Sequence, residues 1–324
     1  MPGEGIEGMK AEAAAQGPIL AIRASARHHP TRAARIRRTA LVFLAPAGIL
    51  VLVLVAYPLL RVLWDSLRYV NLVNPSVSGF AGWDNYLTVW EDGDFLPALG
   101  NTAIWTGLSV VGEYALGLAS AVALAQPVRA RAIFRGLIII PWVIPIAVAG
   151  LNWTWMLTPD YGILNIWMVK LGLLDAPYPW LGQMDTALLT VTFVNIWRSY
   201  PFYTLSLLAA LQAIPRELHE AAAVDGAGAW RRFRVITLPH LRTVSLTLIF
   251  IHIVWTAINF DFIWVMTEGG PLNASETLPI MIYRYAMQDF DVGAACAVAS
   301  MSMAFLASLF FVYHYGVARR RREG

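Results

Sequence analysis

AIPRELHEAAAVDGAGAWRRFRVITLPHLR, at residues 213–242, is a polar and basic stretch between two long apolar runs. Pro215 suits the first turn of a helix, and Gly226 suits a helix end. An acidic side chain such as Glu220 is favoured near the positive amino end of a helix. The pattern therefore predicts a short helix over residues 216–225. These residues alone fit two interpretations equally well: a solvated helical hairpin, and a helix on which another protein docks.

Outside this stretch the chain is strongly apolar. Of its 324 residues, 58% are hydrophobic and 14% are charged, with a mean hydropathy of +0.56, whereas soluble proteins average about 45–50% apolar residues. Six apolar runs have the length of about 20 residues that a bilayer core requires. They cover residues 40–60, 99–125, 136–156, 187–212, 243–266 and 294–317. The composition predicts an all-α membrane protein with six transmembrane helices, and it excludes a disordered chain and an ordinary cytosolic enzyme.

Basic residues alternate between the segments that separate these runs. Four segments hold 19 of the 24 lysines and arginines, namely residues 1–39, 126–135, 213–242 and 318–324. Because basic residues concentrate on the cytoplasmic side of membrane proteins, both termini are predicted to be cytoplasmic. Nucleic acid is not an expected partner, since the basic residues follow the membrane sides rather than one soluble face.

The predicted domain organisation follows from these boundaries. Residues 1–39 form a basic cytoplasmic tail that is expected to be disordered, residues 40–317 form the six-helix transmembrane domain, and residues 318–324 form a second basic tail. For residues 21–38, an amphipathic helix on the membrane surface is the alternative to a disordered tail.

The loop also carries a spaced motif. It has EAA at residues 220–222, G at 226 and ITLP at 236–239, separated by three and nine residues. This arrangement resembles the EAA loop of permease subunits in binding-protein-dependent ABC importers. The flanking sequences NIWRSYPF at 195–202 and TEGGP at 267–271 resemble the carbohydrate branch of that family, which includes the maltose permeases.

The resemblance, which covers about residues 40–317, implies a type I ABC importer permease fold. It also implies an ATP-driven sugar importer in a bacterial inner membrane. The implied partners are a second homologous permease, two ATP-binding cassette subunits, an extracytoplasmic solute-binding protein, the sugar and membrane lipid. The loop helix would couple this subunit to the ATPase through Glu220, Ala221, Ala222, Asp225 and Gly226.

The same resemblance implies a non-catalytic permease subunit. ATP and Mg²⁺ would be bound by the partner ATPase subunits, and this chain is expected to hold no cofactor and no metal. In agreement, the sequence contains no G-x-x-x-x-G-K-[ST] loop to bind phosphates.

Three ionisable residues, Glu113, Arg198 and His252, lie within predicted spans. Such residues are costly in a bilayer and indicate either function or a buried pair. Counted inward from the outer ends of their helices at 1.5 Å per residue, Glu113 lies roughly 21 Å deep and Arg198 roughly 16 Å deep. The two form a candidate intramembrane ion pair, which would either fix helix packing or belong to a transport site.

Two polar and aromatic helix faces accompany these residues. Each has side chains at positions i, i+3, i+4 and i+7: Asn195, Arg198, Ser199 and Phe202 on one helix, and His252, Trp255, Thr256 and Asn259 on another. Because lipid disfavours such faces, they are expected to face protein or water. They would then be either the lining of a shared sugar cavity or stripes that pack helices together.

The resemblance implies that these eight positions match the sugar-contacting positions of the family. Asn195 and Asn259 keep the family's residue type there, and the other six depart from it. Arg198 and His252 make the predicted cavity more polar and potentially cationic. An acidic or otherwise decorated sugar is therefore a hypothesis, which pairing of Arg198 with Glu113 would remove.

Two other classes of function fit parts of the sequence. A stand-alone proton-coupled secondary transporter could use Glu113 and His252 as a proton relay, although six spans without a detectable repeat are few for that class. An intramembrane enzyme is disfavoured, because the sequence has no G-x-S-G serine setting, no H-E-x-x-H motif and no metal-ligand cluster among its six histidines. Dependence of transport on ATP separates the importer from the secondary transporter.

Overall fold

The computed structural model describes residues 32–73, 76, 78–126 and 129–322. The chain separates into two units, one that ends at Leu60 and one that begins at Arg61. Most of the predicted amino-terminal tail, residues 1–31, lies outside the described residues.

The described part of the first unit is one long apolar helix, which continues past the boundary at Leu60 to Asp65. Helix α1 (Arg32–Val51) continues through a π-helical turn (Leu52–Ala56) into α2 (Tyr57–Asp65). The segment from Thr39 to Asp65 has a mean hydropathy of 2.6, which agrees with the first predicted span. Residues 32–39, which the sequence assigned to the tail, are helical.

Short elements open the second unit. Strands β1 (Arg68–Val70) and β2 (Ser78–Phe80) form an antiparallel hairpin, and α3 (Asp84–Glu91) follows it. The side-chain amide of Asn85 donates hydrogen bonds to the carbonyls of Ser66 and Arg68 at 2.8 and 2.9 Å. These bonds fix α3 against the hairpin.

The third predicted span is broken. After α4 (Phe95–Ala125), the chain forms α5 (Arg131–Val143) and α6 (Ile146–Leu157), which meet at an angle of 91°. Pro145 directly precedes α6 and has no amide hydrogen with which to continue the helical ladder. The predicted span over residues 136–156 therefore consists of two helices with a sharp bend between them.

The next long helix packs against α4. The short helix α7 (Ile163–Lys170) leads into an irregular loop, and α8 (Ala187–Gln212) follows and runs beside α4. A Cβ atom at Gly117 would lie 2.4 Å from Cβ of Tyr203 and 3.2 Å from the carbonyl oxygen of Tyr200. Only glycine permits this close approach, as is common where membrane helices pack through small residues.

A short loop helix precedes the fifth long helix. Helix α9 (Arg216–Val224) is followed by α10 (Ala229–Arg232), a π-helical turn (Phe233–Thr237) and α11 (Leu238–Ala257). The fifth span was predicted over residues 243–266. The observed helix begins earlier and ends at Ala257, because the chain turns there before the next helix.

The carboxyl-terminal part completes the bundle. Helix α12 (Asp261–Thr267) precedes α13 (Leu278–Tyr283), a π-helical turn (Arg284–Gln288) and the last helix α14 (Val292–Arg322). Residues 318–322, which the sequence assigned to the second tail, continue this helix.

Four helices of the described chain are long and apolar enough to cross a membrane. They are Thr39–Asp65, Phe95–Ala125, Ala229–Ala257 and Val292–Tyr315, and the bent pair α5–α6 makes a fifth span if it counts as one. The remaining predicted span, α8, has 26 residues but is not among them, since polar residues interrupt it. Six spans and cytoplasmic termini therefore stay predictions, whereas a mostly helical architecture with several long apolar helices is observed.

Three buried clusters hold the second unit together. One surrounds Trp105 between α4, α6, α8 and α12. A second surrounds Tyr203 between α4, α8 and α11. The third surrounds Met281 where α3, α4, α13 and α14 meet. Helix α8 takes part in two of these clusters, and its polar residues therefore lie at the centre of the bundle.

Candidate functional site

A buried polar cluster joins three of the long helices. Glu113 of α4, Asn195 of α8 and His252 of α11 are each at least nine-tenths buried. Oε2 of Glu113 lies 2.7 Å from Nδ1 of His252, and the amide of Asn195 donates to Oε1 of Glu113 at 3.0 Å. The same amide also donates to Oγ of Ser109 at 3.1 Å. The close approach of α4 and α8 at Gly117, one turn from Glu113, brings these groups within hydrogen-bond distance.

The predicted pair between Glu113 and Arg198 does not form. The Arg198 side chain instead donates from Nε to the carbonyl of Ile144 at 3.3 Å and from Nη2 to the carbonyl of Trp142 at 3.5 Å. These carbonyls become available because the break at Pro145 ends α5, and cations are favoured at the carboxyl end of a helix. The carboxylate of Glu113 is therefore bonded to His252 and not to Arg198.

Aromatic rings surround His252. The ring centroids of Tyr203, Phe202 and Trp255 lie 4.3, 5.1 and 5.5 Å from that of the imidazole. Trp255 is 54% exposed, so the aromatic cluster reaches from the buried carboxylate to the surface of the described chain. Rings of this kind stack on the C–H faces of sugars and leave neighbouring polar groups to bind hydroxyls.

The other predicted lining residues have different surroundings. Ser199 lies one turn from Asn195, and its hydroxyl donates to Oδ1 of Asn195 at a long 3.5 Å. Thr256 is buried, and its carbonyl accepts a hydrogen bond from the indole of Trp105 at 2.9 Å. Oδ1 of Asn259 accepts from the backbone amide of Phe262 at 3.2 Å and so stabilises the first turn of α12.

The structure therefore brings together five of the eight predicted lining residues. These are Asn195, Ser199, Phe202, His252 and Trp255, whereas Arg198, Thr256 and Asn259 take roles in helix ends and packing. Sequence reasoning missed Ser109 and Tyr203 as neighbours of the polar cluster. Ser109 could have been found, because it lies four residues before Glu113 and hence on the same helix face.

The helix predicted over residues 216–225 forms over Arg216–Val224, whereas its coupling role stays a prediction. Helix α9 has no buried residue, and Gly226 follows it with a left-handed φ of 77°. The amide of Ala227 donates to the carbonyl of Ala222 at 2.8 Å, and that of Gly226 donates to Ala223 at 3.1 Å. This pair of bonds is the Schellman arrangement, in which glycine takes the left-handed position.

The surface around α9 is apolar as well as exposed. Val224 at the end of the helix is 88% exposed, and Trp230 beyond Gly226 is 73% exposed and stacks on Phe233. Glu220, Ala221 and Asp225 are also exposed. Grouped exposed apolar side chains with a polar rim are typical of a surface that a partner covers.

An ionic cluster lies between the loop after α12 and the loop before α4. Arg284 bonds Oε1 of Glu276 at 2.9 Å and Oδ2 of Asp94 at 3.0 Å. Burial raises the pKa of Glu276, although Arg284 opposes this shift. Asp92 and Asp289 approach the same guanidinium at 3.8 and 3.9 Å. Together the five side chains tie the two loops to each other.

A single asparagine anchors the loop that follows α7. The amide of Asn165 donates to the carbonyls of Leu157, Thr158 and Tyr178 at 3.0 to 3.3 Å. Its Oδ1 accepts from the backbone amide of Tyr178 and from the indole of Trp180 at 3.0 and 3.1 Å. All hydrogen-bonding positions of this buried side chain are therefore used within the loop.

The family model described as "Binding-protein-dependent transport system inner membrane component" matches residues 114–322. The chain belongs to this family. The match contains Asn195, His252 and the whole of α9, and it begins directly after Glu113. The resemblance deduced from the EAA loop is confirmed, and the chain is a multi-pass membrane protein.

Relatives and solved structures agree with this assignment. The trehalose/maltose transport system permease protein MalF of Thermococcus litoralis is 32% identical over 86% of this chain and 92% of its own length. The sulfoquinovosyl glycerol transport system permease protein SmoG of Agrobacterium fabrum is 32% identical over 86% of this chain and 89% of its own. A bacterial ABC transporter involved in the import of the acidic polysaccharide alginate has a chain with a TM-score of 0.76, at 22% identity over 88% of this chain and 97% of that one. The predicted type I importer permease fold is thus confirmed.

Proposed function

We propose that this chain is the transmembrane subunit of an ATP-driven sugar importer. The observation that carries the proposal is α9: a helix with no buried residue, ended by Gly226 and flanked by the exposed apolar side chains of Val224 and Trp230. A helix with this surface needs a partner to cover it. In this proposal the partner is a cytoplasmic ATP-binding cassette, with Glu220, Ala221, Ala222, Asp225 and Gly226 at the contact.

A second homologous permease would complete the pathway, and two cassette subunits would bind ATP and Mg²⁺. This chain would hydrolyse nothing itself. An extracytoplasmic solute-binding protein would deliver the solute, as in the alginate transporter that has been crystallised with a pentasaccharide-bound periplasmic protein. The membrane would be a bacterial inner membrane, with lipid around the outer helix surfaces.

Two observations support a sugar as the solute. The relatives named above are permeases for trehalose, maltose and sulfoquinovosyl glycerol. The cluster of Asn195, Ser199 and His252 beside the rings of Phe202 and Trp255 combines hydroxyl-binding groups with stacking surfaces. Arg198 is bonded to backbone carbonyls rather than to Glu113, so its charge stays available to an anionic sugar if those long bonds exchange.

The mechanism would be alternating access. Closure of the two cassettes on ATP would draw the α9 helices together and open the pathway outward, and hydrolysis would return it to the inward state. A sugar biases this cycle only if it binds the two states with different affinity. Because α9 is joined directly to α8 and through α10 to α11, a shift of α9 would act on the two helices that carry Asn195 and His252.

The test is reconstitution of the complete transporter in proteoliposomes with the panel sugars maltose, trehalose, sulfoquinovosyl glycerol and alginate oligosaccharides. We expect uptake of at least one sugar that requires ATP. Glu220→Lys should abolish uptake and leave the subunit in the membrane, because a lysine reverses the charge at the proposed cassette contact. Glu217→Lys, on the same exposed helix but outside the motif, is the matched control. Uptake by Glu220→Lys at the wild-type rate would contradict the docking role, and uptake driven by a proton gradient without ATP would favour the secondary transporter.

A further inference from the structure

One nitrogen of the buried histidine is left without a hydrogen bond. Nδ1 of His252 is bonded to Glu113, but Nε2 is buried and has no partner among the described residues. Buried polar atoms are nearly always bonded, and each exception calls for an explanation. The imidazole of His252 is thus held at Nδ1 and unbonded at Nε2.

Glu113 and His252 form a hydrogen-bonded dyad, and the net charge of this dyad decides whether Nε2 of His252 can donate a hydrogen bond. The side chain of Glu113 is 1% exposed, and among the described residues His252 is the only basic side chain that bonds it. The charge of Arg198 acts on Glu113 only from a distance, because its guanidinium is bonded to the carbonyls at the helix break. A carboxylate without a compensating positive charge is costly at such a site. The pair is therefore most stable when it is neutral overall, which means that Oε2 of Glu113 and Nδ1 of His252 share one proton.

A neutral dyad makes Nε2 a donor wherever that proton lies. If the proton is on Nδ1, the ring is an imidazolium and both of its nitrogens carry hydrogen. If the proton is on Oε2, the carboxyl group donates to Nδ1 and the neutral ring carries its one hydrogen on Nε2. Both arrangements place an N–H group at Nε2.

The surroundings keep this arrangement fixed. Asn195 donates to Oε1 of Glu113 and so orients the carboxyl group toward His252. The other polar groups nearby have their own partners: Arg198 bonds the carbonyls at the helix break, Tyr114 donates to Ser245 at 3.0 Å, and Tyr203 donates to the carbonyl of Leu248 at 3.5 Å. None of them competes for Nε2 of His252.

We infer that Glu113 is a positioning residue that holds His252 with Nε2 protonated, as a hydrogen-bond donor to an acceptor oxygen of the transported solute. The ring of Trp255 lies 5.5 Å from the imidazole and is 54% exposed, so on this side the imidazole is bordered by a side chain that no packed core surrounds. The identity of the solute as a sugar rests on the proposed function, whereas the protonation of Nε2 does not.

The first experiment measures the protonation of Nε2 without any solute. The assembled transporter is labelled with ¹⁵N-histidine in this chain, and the His252 resonances are assigned by their loss in His252→Phe. We expect a protonated Nε2 in the wild-type protein. Glu113→Gln should retain it, because the amide can donate to Nδ1 while its oxygen accepts from Asn195. In Glu113→Leu no group fixes the proton on Nε2, so the His252 ring should show a mixture of its two neutral tautomers. An unprotonated Nε2 in the wild-type protein, or a Glu113→Leu spectrum equal to that of the wild type, would overturn the inference.

The second experiment measures uptake of the panel sugars in proteoliposomes. Loss of one charge-assisted or neutral hydrogen bond corresponds to about a tenfold change in affinity. We therefore expect Glu113→Leu and His252→Phe to raise KM about tenfold, and Glu113→Gln to stay near the wild-type KM. Ser245→Ala is the matched control, since Ser245 is buried on α11 and does not touch the dyad. A His252→Phe variant with unchanged KM would overturn contact with the solute.

The two proposals fail in different ways. If the wild-type transporter takes up none of the panel sugars, the proposed function fails, while the NMR result still decides whether Glu113 fixes the proton on Nε2. If uptake depends on ATP but the NMR spectrum shows an unprotonated Nε2, the importer stands and the inference about the dyad is wrong.

Discussion

Substitution of Gly117, where α4 and α8 are in contact, should lower the free energy of unfolding. An added Cβ atom would lie 2.4 Å from Cβ of Tyr203, whereas carbon atoms in contact prefer about 3.5–4.0 Å. Gly117→Ala must therefore move the helices apart by about 1 Å or more. Overpacking of this kind costs about 1–3 kcal/mol, and alanine regains about 0.5–1 kcal/mol over glycine within a helix. The expected net loss therefore lies between about 0 and 2.5 kcal/mol, with a central value of about 1 kcal/mol.

The same helix offers a matched control. An added Cβ atom at Gly107, also on α4, meets nothing within 4 Å, so Gly107→Ala should gain about 0.5–1 kcal/mol. Thermal unfolding of both variants in the same lipid nanodiscs measures the difference. Because Gly117 lies one turn from Glu113, its variant should also lengthen the bond between Glu113 and Asn195 and reduce transport. Equal unfolding temperatures for the two variants would refute the claim that glycine is needed for the approach of the helices.

Three further predictions concern other parts of the fold. Asn165→Ala should leave the backbone amide of Tyr178 unbonded, which costs about 1–3 kcal/mol. We expect faster proteolysis within residues 171–186, and unchanged cleavage would contradict the anchoring role. Because burial raises the pKa of Glu276, the folded protein binds this proton more tightly than the unfolded chain does, and stability should fall as the pH rises through the folded-state pKa. Thermal unfolding curves recorded over a pH series should show no such fall in stability for Glu276→Gln. A stability profile parallel to that of the wild type would contradict the prediction. Arg198→Met should speed hydrogen exchange around residues 142–146 at the helix break, and exchange at the wild-type rate would mean that Arg198 does not stabilise the end of α5.

The sequence predicted the parts of the fold that depend on local pattern. The apolar runs placed the long helices, and the loop pattern placed α9 to within one residue of Arg216–Val224. Gly226 was predicted as the helix end and adopts a left-handed φ of 77°. These features follow from neighbouring residues alone, which is why one chain without any structure was enough to find them.

The partner of Glu113 could not be found in the same way. A count of 1.5 Å per residue gives the depth of a side chain, but it gives no lateral position in the bundle. The break at Pro145 exposed carbonyls that accept from Arg198, and the approach of α11 brought His252 to the carboxylate. Both depend on the packing of distant segments, so Arg198 was assigned to Glu113 only because their depths were similar.

The turn after Ala257 shows the same limit. The polar face of the fifth span was extended through Asn259 because its helical spacing fitted. Asn259 instead lies two residues before α12, where its Oδ1 accepts a hydrogen bond from the amide of Phe262. Asparagine favours turns over helix interiors, and this preference was the signal in the sequence that the helix would end before residue 259.

The order of elements along the chain links the Glu113–His252 dyad to α9, the helix proposed to contact the cassette. Helix α9 stands between α8, which carries Asn195, and the segment α10–α11, which carries His252. At about 1.5 Å per residue, His252 lies roughly 22 Å along the helix from Thr237, and Asn195 lies roughly 26 Å from the end of α8 at Gln212. Glu113 of α4 bonds both residues, so α8 and α11 cannot shift relative to each other without straining those bonds. A displacement of α9 would therefore reach the dyad as a relative movement of the two helices, and a solute bound at Nε2 would favour the state in which the bonds to Glu113 are intact. Coupling of this kind requires that the solute bind the two states with different affinity, and the hydrogen bonds of Glu113 are contacts that a relative movement of α8 and α11 would change.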